Sequence, residues 1–210
     1  MQHAEEALIE VIGLTGGIAT GKSSVARLLT VRGFPVVDAD ALARDVVAPG
    51  SPGLARLVEA FGQEILGPNG ALDRRRLGAL AFADPEAKRR LEGIMHPMIA
   101  AASVQALAAL AHAGHTVAFY EAALLVETGR AKGFPQVVVV ATSPDVQRSR
   151  LREREPDLSE QEVDARIAAQ LPLEDKLRAA THVIYNDGDH HTLERAVDAF
   201  IGSLGVRGEA

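Results

Sequence analysis

Short apolar runs alternate along the chain with longer stretches whose apolar residues recur at helical spacing. The runs are rich in Val and Ile and predict five strands, at 9–15, 35–40, 116–121, 136–142 and 182–186. Because helical segments separate these strands, we expect parallel pairing through right-handed crossovers. The pattern therefore predicts an α/β fold with a five-stranded parallel sheet flanked by helices. In such sheets, ligands bind beyond the carboxyl ends of the strands.

Helix starts are visible in the local sequence. Residues 22–31 predict the helix that follows the first strand. Residues 84–85 read Asp-Pro and residues 143–144 read Ser-Pro, so each pair offers an N-cap and a proline at the first helical position. Residues 159–162 have the Ser-x-x-Glu spacing of a capping box. These signals predict three further helices.

One long segment interrupts the alternation of strands and helices. Residues 41–114 contain no convincing strand and far exceed the length that a crossover needs. We interpret them as a helical insertion that recognises substrate. Since the chain shows no internal repeat, low-complexity tract or linker, we predict a single domain over residues 9–205.

Composition narrows the classes of function. The 210 residues are 47% hydrophobic with a net charge of −6, which is typical of a globular protein without a broad nucleic-acid-binding face. The absence of cysteine excludes disulfides and thiolate metal sites. The N-terminal segment is acidic where a secretory peptide is basic, and the longest apolar run, 99–111, is too short for a bilayer about 30 Å thick. We expect a cytoplasmic protein with neither nucleic-acid nor membrane partners.

A glycine-rich loop follows the first strand. Its sequence, GGIATGKSS, satisfies the pattern G-x-x-x-x-G-K-[ST] between a predicted strand and a predicted helix. Glycines let successive N–H groups face a phosphate, and the helix adds its positive end. Lys22 is predicted to bridge the β- and γ-phosphates and Ser23 to bind Mg²⁺. The predicted ATP-binding residues of the loop are Gly16, Gly17, Ile18, Ala19, Thr20, Gly21, Lys22, Ser23 and Ser24.

The loop also contains an alanine, Ala19, in a segment where glycines are common. For Ala19 we expect a negative φ, because alanine with a positive φ is strained by about 1–2 kcal/mol.

Two acids close the second predicted strand. Asp38 and Asp40 alternate to one face of a strand, near the end of the first strand. A carboxylate there can accept the proton of an attacking hydroxyl or orient that hydroxyl. The alternative is that Asp40 only caps a helix over 41–47.

Six segments together resemble the dephospho-CoA kinase family, in order, over about residues 10–200. They are GLTGGIATGKSSVA, VVDADALARDVVAPGSPG, LDRRRLGALAFADPEAKRRLEGIMHPMI, LLVE, ARIAAQLPLEDKLRAA and VIYNDGD. The resemblance implies a P-loop kinase that uses Mg²⁺ and transfers the γ-phosphate of ATP to the 3′-hydroxyl of dephospho-CoA. It also implies ATP and dephospho-CoA as the binding partners; we expect a monomer or a weak homo-oligomer.

The resemblance carries roles for residues on the acceptor side. Asp40 matches the candidate base near the ribose hydroxyl, and Arg44 lies in the same motif and helps position substrate. His96 matches the histidine of the family's H-P motif. Without the family, His96 reads only as the end of a helix before Pro97.

The resemblance also identifies groups for the nucleotide. Residues 148–172 resemble the family's lid, in which Arg154 matches a catalytic arginine directed at the phosphates of ATP. The alternative for Arg154 is a solvated arginine paired with Glu155. Asn186 matches the asparagine of the loop near the adenine. Glu121 stands where the family often has aspartate, so its role at Mg²⁺ stays open.

Other functions remain as alternatives. A nucleoside or nucleotide kinase would share the loop but requires a base-reading pocket, which the sequence does not reveal. A regulatory NTPase specific for guanine needs an N-K-x-D element, and residues 185–189 read YNDGD instead. A nucleotide-binding protein without turnover is disfavoured by Asp40 and the lid arginines.

Overall fold

The computed structural model describes residues 9–205, which fall into two compact units. The first unit joins the described residues up to Val37 with those from Leu110 onward, and the second unit is Asp38–Ala109. The predicted helical insertion, about 41–114, corresponds closely to the second unit. The assignment of residues 9–205 to one domain stays a prediction.

Five strands in the described residues form one sheet, and they confirm the predicted fold class. The strands are β1 Glu10–Gly16, β2 Val36–Asp38, β3 Val117–Glu121, β4 Val137–Ala141 and β5 His182–Tyr185. Their order is β2-β3-β1-β4-β5. The central strand β1 pairs in parallel with β3 and β4, and β4 pairs in parallel with β5. The carboxyl end of β1 therefore lies between the ends of β3 and β4.

The helices follow the strands as the periodicity predicts. They are α1 Lys22–Val31, α2 Ala39–Asp45, α3 Pro52–Phe61, α4 Arg74–Ala83, α5 Pro85–His112, α6 Pro144–Arg154, α7 Glu160–Ala168, α8 Leu173–Arg178 and α9 His190–Leu204. Short 3-10 turns lie at Gln63–Ile65 and Arg130–Gly133. The predicted starts at Pro85 and Pro144 and the capping box at residues 159–162 are confirmed. At α6, however, the Ser143 side chain makes no cap bond; the Ser143 N–H donates to Asp187 instead.

The core of the first unit explains why its strands are so apolar. All five residues of β3 and of β4 are buried, as in a parallel sheet covered on both faces. Phe119 of β3 packs edge-to-face against Phe34 and Phe200, with ring centroids 6.1 and 6.0 Å apart. Burying each such side chain contributes about 1.5–3 kcal/mol. Ile12 and Leu14 of β1 belong to the same core, so the strand that leads into the glycine-rich loop is packed on it.

The second unit has a separate apolar core. Val47, Leu57, Ile65 and Leu77 are buried in it and come from different helices or turns. Helix α5 supplies partly buried residues to that core and continues through Pro97. The reading of His96 as the end of a helix is therefore wrong.

Helix α5 is also the one helix of the described residues that is long and apolar enough to cross a membrane. It has 28 residues, with a mean hydropathy of 1.6 over its most apolar window. The run 99–111 is too short by itself to span a bilayer, but the helix extends beyond it. Core helices of soluble proteins meet the same criteria, so one such helix is weak evidence for a membrane.

Candidate active site

The glycine-rich loop lies where the sequence predicts it, between β1 and α1. Beside the loop, the first unit has a cavity of about 580 Å³. Its lining residues are Gly16, Gly17, Ile18, Ala19, Gly21, Lys22, Ser23, Ser24, Ala123, Arg150, Arg154 and Gln170. The predicted loop residues are thus brought to one cavity, except Thr20, which is buried at 3% exposure.

The start of α1 is suited to an anion. No side chain caps this helix, whereas Asp38, Ser51, Asp73, Ser159 and Asp189 cap five other helices. The first N–H groups of any helix lack intrahelical partners, and the helix dipole makes that end positive. An uncapped helix beginning at Lys22 therefore offers donors and positive potential to a phosphate.

Gly21 is required at the N-cap of α1 for two reasons. Its φ is 91°, a left-handed conformation that side chains disfavour. A Cβ on Gly21 would also lie 2.1 Å from Nδ2 of Asn186. That Asn186 Nδ2 donates to the Thr20 carbonyl at 2.8 Å, so the end of β5 directly supports the loop.

Ala19 has the opposite conformation from the one that we predicted. Its φ is 59°, and among the described non-glycine residues it alone has a positive φ. An alanine in this region costs about 1–2 kcal/mol relative to ordinary backbone. The prediction of a negative φ is wrong because the path of the loop from Gly17 to Gly21, not residue preference, sets this angle.

The strain at Ala19 leads to a stability prediction. Ala19→Gly is expected to raise the free energy of unfolding by about 0.5–1 kcal/mol, since relieving the strain outweighs the extra entropy of glycine in the unfolded chain. Urea unfolding measures the change. Ala79→Gly, in the interior of α4 and exposed, is the matched control and should instead lower stability by about 1 kcal/mol. A loss of stability for Ala19→Gly would contradict the prediction.

Lys22 forms an ion pair with Glu121 at the end of β3. Their side chains are 13% and 8% exposed, so both charges are largely withdrawn from water. A paired charge of this kind is tolerated because each partner neutralises the other. Glu121 therefore holds the Lys22 ammonium beside the loop.

The donors near the loop fit a magnesium ion that is bound mainly through phosphates. Within residues 9–205, no cluster of three or more His, Cys, Asp or Glu residues could hold a metal. Mg²⁺ in nucleotide sites usually takes only one or two protein ligands, together with waters and phosphate oxygens. The Ser23 hydroxyl lines the cavity, and the Glu121 carboxylate pairs with Lys22 beside it. Ser23 is thus a suitable ligand, and Glu121 is a suitable acceptor for a metal-bound water.

The arginines of α6 separate into two groups. Arg148 binds Asp164 at 2.7 Å and Arg152 binds Glu160 at 3.2 Å, so they join α6 to α7. Arg150 and Arg154 instead line the cavity at the loop. Sequence reasoning singled out Arg154 but missed Arg150. The signal available was the spacing of four, which puts both on one helix face.

The position of Arg154 agrees with both alternatives that the sequence left open, an arginine near the phosphate-binding loop and a solvated arginine paired with Glu155. It lines the cavity, yet it is 54% exposed and donates to Glu155 at 3.0 Å. This hydrogen bond, with further help from Arg166, lowers the pKa of Glu155. Exposed pairs of this kind are weak, so Arg154 can exchange Glu155 for a phosphate at small cost.

A second cavity, of about 250 Å³, lies beside the first in the same unit. Its lining includes Gly21, Ser24, Arg150, Asn186 and His190. Asn186 is thus near the loop as predicted, but its side-chain amide binds Thr20, and its backbone carbonyl accepts from Arg150 at 2.8 Å. Its contact with adenine stays a prediction.

Asp187, the residue after Asn186, binds the chain that follows β5 to the residues that follow β4. Oδ1 of Asp187 accepts the Ser143 N–H at 2.6 Å and the Thr142 hydroxyl at 2.8 Å. The Ser143 N–H, followed by the Thr142 hydroxyl, lowers the pKa of Asp187. Because the folded pKa is lowered, this stabilisation is present at neutral pH and is lost as the pH falls through that pKa.

The predicted acceptor-side residues belong to the second unit. Oδ1 of Asp38 accepts the N–H groups of Asp40 at 2.8 Å and of Ala41 at 3.0 Å, which makes Asp38 the N-cap of α2. Asp40 is exposed in the first helical turn. The prediction that both acids alternate along a strand is wrong, because this capping turns the chain into a helix directly after β2. The alternative that Asp40 caps a helix over 41–47 is wrong for the same reason.

The other two residues of this group are also exposed. Arg44 lies on α2, with Nη2 3.8 Å from Oδ2 of Asp38. His96 lies on α5. Their roles in binding substrate, like that of Asp40, stay predictions.

Comparison with known proteins identifies relatives over most of the chain. The sequence model of the family described as dephospho-CoA kinase matches residues 10–192. A dephospho-CoA kinase of Anaeromyxobacter dehalogenans is 52% identical over 201 residues, covering 95% of this chain and 95% of that protein. One of Bdellovibrio bacteriovorus is 44% identical over 187 residues, covering 89% and 92%.

Solved structures agree with these relatives. A crystal structure from Thermus thermophilus superposes with a TM-score of 0.81 at 36% identity, covering 94% of this chain and 98% of that one. Dephospho-CoA kinase from Campylobacter jejuni has a TM-score of 0.68 at 26% identity, with 92% and 96% coverage. A shikimate kinase from Bacteroides thetaiotaomicron, at 0.51 and 16% identity over 94% and 99%, shares the fold alone. The chain belongs to the dephospho-CoA kinase family.

Proposed function

We propose that this protein transfers the γ-phosphate of ATP to the 3′-hydroxyl of dephospho-CoA, giving CoA and ADP in the last step of coenzyme A biosynthesis. The observation that carries the proposal is the loop from Gly16 to Lys22, which leads into an uncapped helix in a chain of the dephospho-CoA kinase family. The cavity of about 580 Å³ beside that loop has room for a triphosphate. ATP and dephospho-CoA are the proposed partners, and the cytoplasm is the proposed location.

The loop and the lid act on the transferred phosphate. Backbone N–H groups at the start of α1 bind phosphate oxygens, and Lys22 leaves Glu121 to neutralise the β- and γ-phosphates. When bound, Mg²⁺ supplies further neutralisation of these phosphates, with Ser23 as its protein ligand. Arg154, and Arg150 beside it, supply positive charge from α6. Closure of the lid excludes water, which would otherwise compete as the acceptor.

The acceptor roles rest on the family resemblance. Asp40 accepts the proton of the 3′-hydroxyl or orients that hydroxyl for in-line attack. Arg44 and His96 position dephospho-CoA. The exposure of all three side chains leaves them available to a ligand.

A direct assay tests the proposal. Purified protein with ATP, Mg²⁺ and dephospho-CoA should yield ADP and CoA in equal amounts. Dephospho-CoA that lacks the 3′-hydroxyl is the matched control and should yield neither product. Turnover of ATP only with a nucleoside would indicate the alternative kinase, and turnover only with water would indicate an NTPase. Either result would refute the assignment.

A further inference from the structure

Two glutamines bind both backbone groups of Ile18, and only Gln170 lies within the predicted lid. Its N–H donates to Oε1 of Gln170 at 2.7 Å, and its carbonyl accepts from Nε2 of Gln147 at 2.8 Å. Gln147 lies on α6, and Gln170 lies between α7 and α8. These bonds span 129 and 152 residues of sequence, so neither reflects local chain geometry.

The loop has room for Gln147 because Gly17 has no side chain. A Cβ on Gly17 would lie 3.0 Å from Nε2 of Gln147 and 3.5 Å from Oε1 of Gln170. The first of these distances is tighter than an ordinary contact. The absence of a side chain at this position therefore permits the close approach of Gln147.

The two bonds fix the backbone just before the strained residue. Gln170 holds the peptide plane between Gly17 and Ile18, and Gln147 holds the plane between Ile18 and Ala19. On the other side, Thr20 is bound to Gly17 and to Asn186, at 2.9 and 2.8 Å. Strained backbone persists only where its surroundings determine it. Ala19, with its φ of 59°, lies between these two anchored residues.

The same contact also sets the position of α6. Gln147, Arg150 and Arg154 are three and seven residues apart, so they share one face of the helix. Arg150 and Arg154 line the cavity, and Gln147 binds the loop beside it. A bond between Gln147 and Ile18 thus places this arginine face beside the phosphate-binding loop.

We propose that Gln147 and Gln170 are positioning residues, which hold the loop in its ATP-binding conformation by engaging both backbone groups of Ile18. The inference rests on that part of the proposed function in which the loop binds ATP. Neither glutamine needs to touch ATP. Without them, Ala19 relaxes from its left-handed conformation, and ATP binding must then restore the loop.

The experiment uses methionine, which resembles glutamine in length but makes no such hydrogen bonds. Gln147→Met and Gln170→Met are each expected to raise the Kd of a non-hydrolysable ATP analogue about three- to tenfold, as the loss of one hydrogen bond predicts. The KM for dephospho-CoA should stay nearly unchanged. Gln161→Met, an exposed glutamine of α7, is the matched control and should bind the analogue normally.

A second substitution distinguishes positioning from a general structural role. In the Ala19→Gly background, Gln147→Met should lose less than half as much affinity, because glycine needs no help to keep a positive φ. Hydrogen exchange of the Ile18 amide should accelerate in Gln170→Met without any ligand. Normal ATP binding by both methionine variants, or equal loss in the Gln161 control, would overturn the inference. A protein that binds ATP but does not phosphorylate dephospho-CoA would refute only the proposed function, whereas one that binds no nucleotide would refute both.

Discussion

Lys22→Ala is expected to lower kcat/KM for ATP about a thousandfold or more. The Lys22 ammonium is a preorganised charge at the loop that we propose binds phosphate, and removing one such group from an active site typically costs about 10²–10³ in rate. The loss is larger here because Glu121, 8% exposed, then keeps a carboxylate without its cation beside the triphosphate. The measurement is the rate of CoA formation at varied ATP concentration.

Two further variants separate the causes of this loss. Lys22→Ala combined with Glu121→Gln removes both charges, and we expect it to recover part of the affinity for ATP but little of kcat. Lys132→Ala removes the same charge from an exposed position and should leave both parameters unchanged. The role of Lys22 would be refuted if Lys22→Ala, shown by circular dichroism to be folded, kept activity within tenfold of the unchanged protein.

Asp40→Asn is expected to lower kcat about 10²–10⁴-fold while the Kd of ATP changes little. That range is the usual contribution of a general base, and asparagine has the same size but cannot accept the proton. Helix capping cannot account for such a loss, because Asp38 is the N-cap of α2. The measurement is single-turnover CoA formation together with an independent titration of ATP.

The matched control for Asp40→Asn is Asp38→Asn. Asparagine is as good an N-cap as aspartate, so Asp38→Asn should keep both α2 and activity. An unchanged kcat for Asp40→Asn would remove Asp40 from the mechanism.

The failed predictions show where local reasoning from sequence stops. The alternation of side chains over residues 35–40 predicts a strand through Asp40. In the structure, the Asp38 side chain accepts hydrogen bonds from the N–H groups of Asp40 and Ala41, and a helix begins there. A capping signal was present in that sequence, but a short apolar run cannot by itself distinguish a strand of three residues from one of six. For Ala19, residue preference indicates a negative φ. The observed φ is positive because the path of the backbone from Gly17 to Gly21 sets this angle.

Local sequence was sufficient for the sheet, the helix starts and the position of the glycine-rich loop between β1 and α1. Strand periodicity, proline at helix starts, the capping box at residues 159–162 and the spacing of Gly16, Gly21 and Lys22 all depend on neighbouring residues. The contacts that complete the site depend on distant ones. Lys22 meets Glu121 across 99 residues, and Asn186 meets Thr20 across 166. These partners meet because the strand order β2-β3-β1-β4-β5 brings separate strand ends to one edge of the sheet, and periodicity in the sequence carries no information about that order.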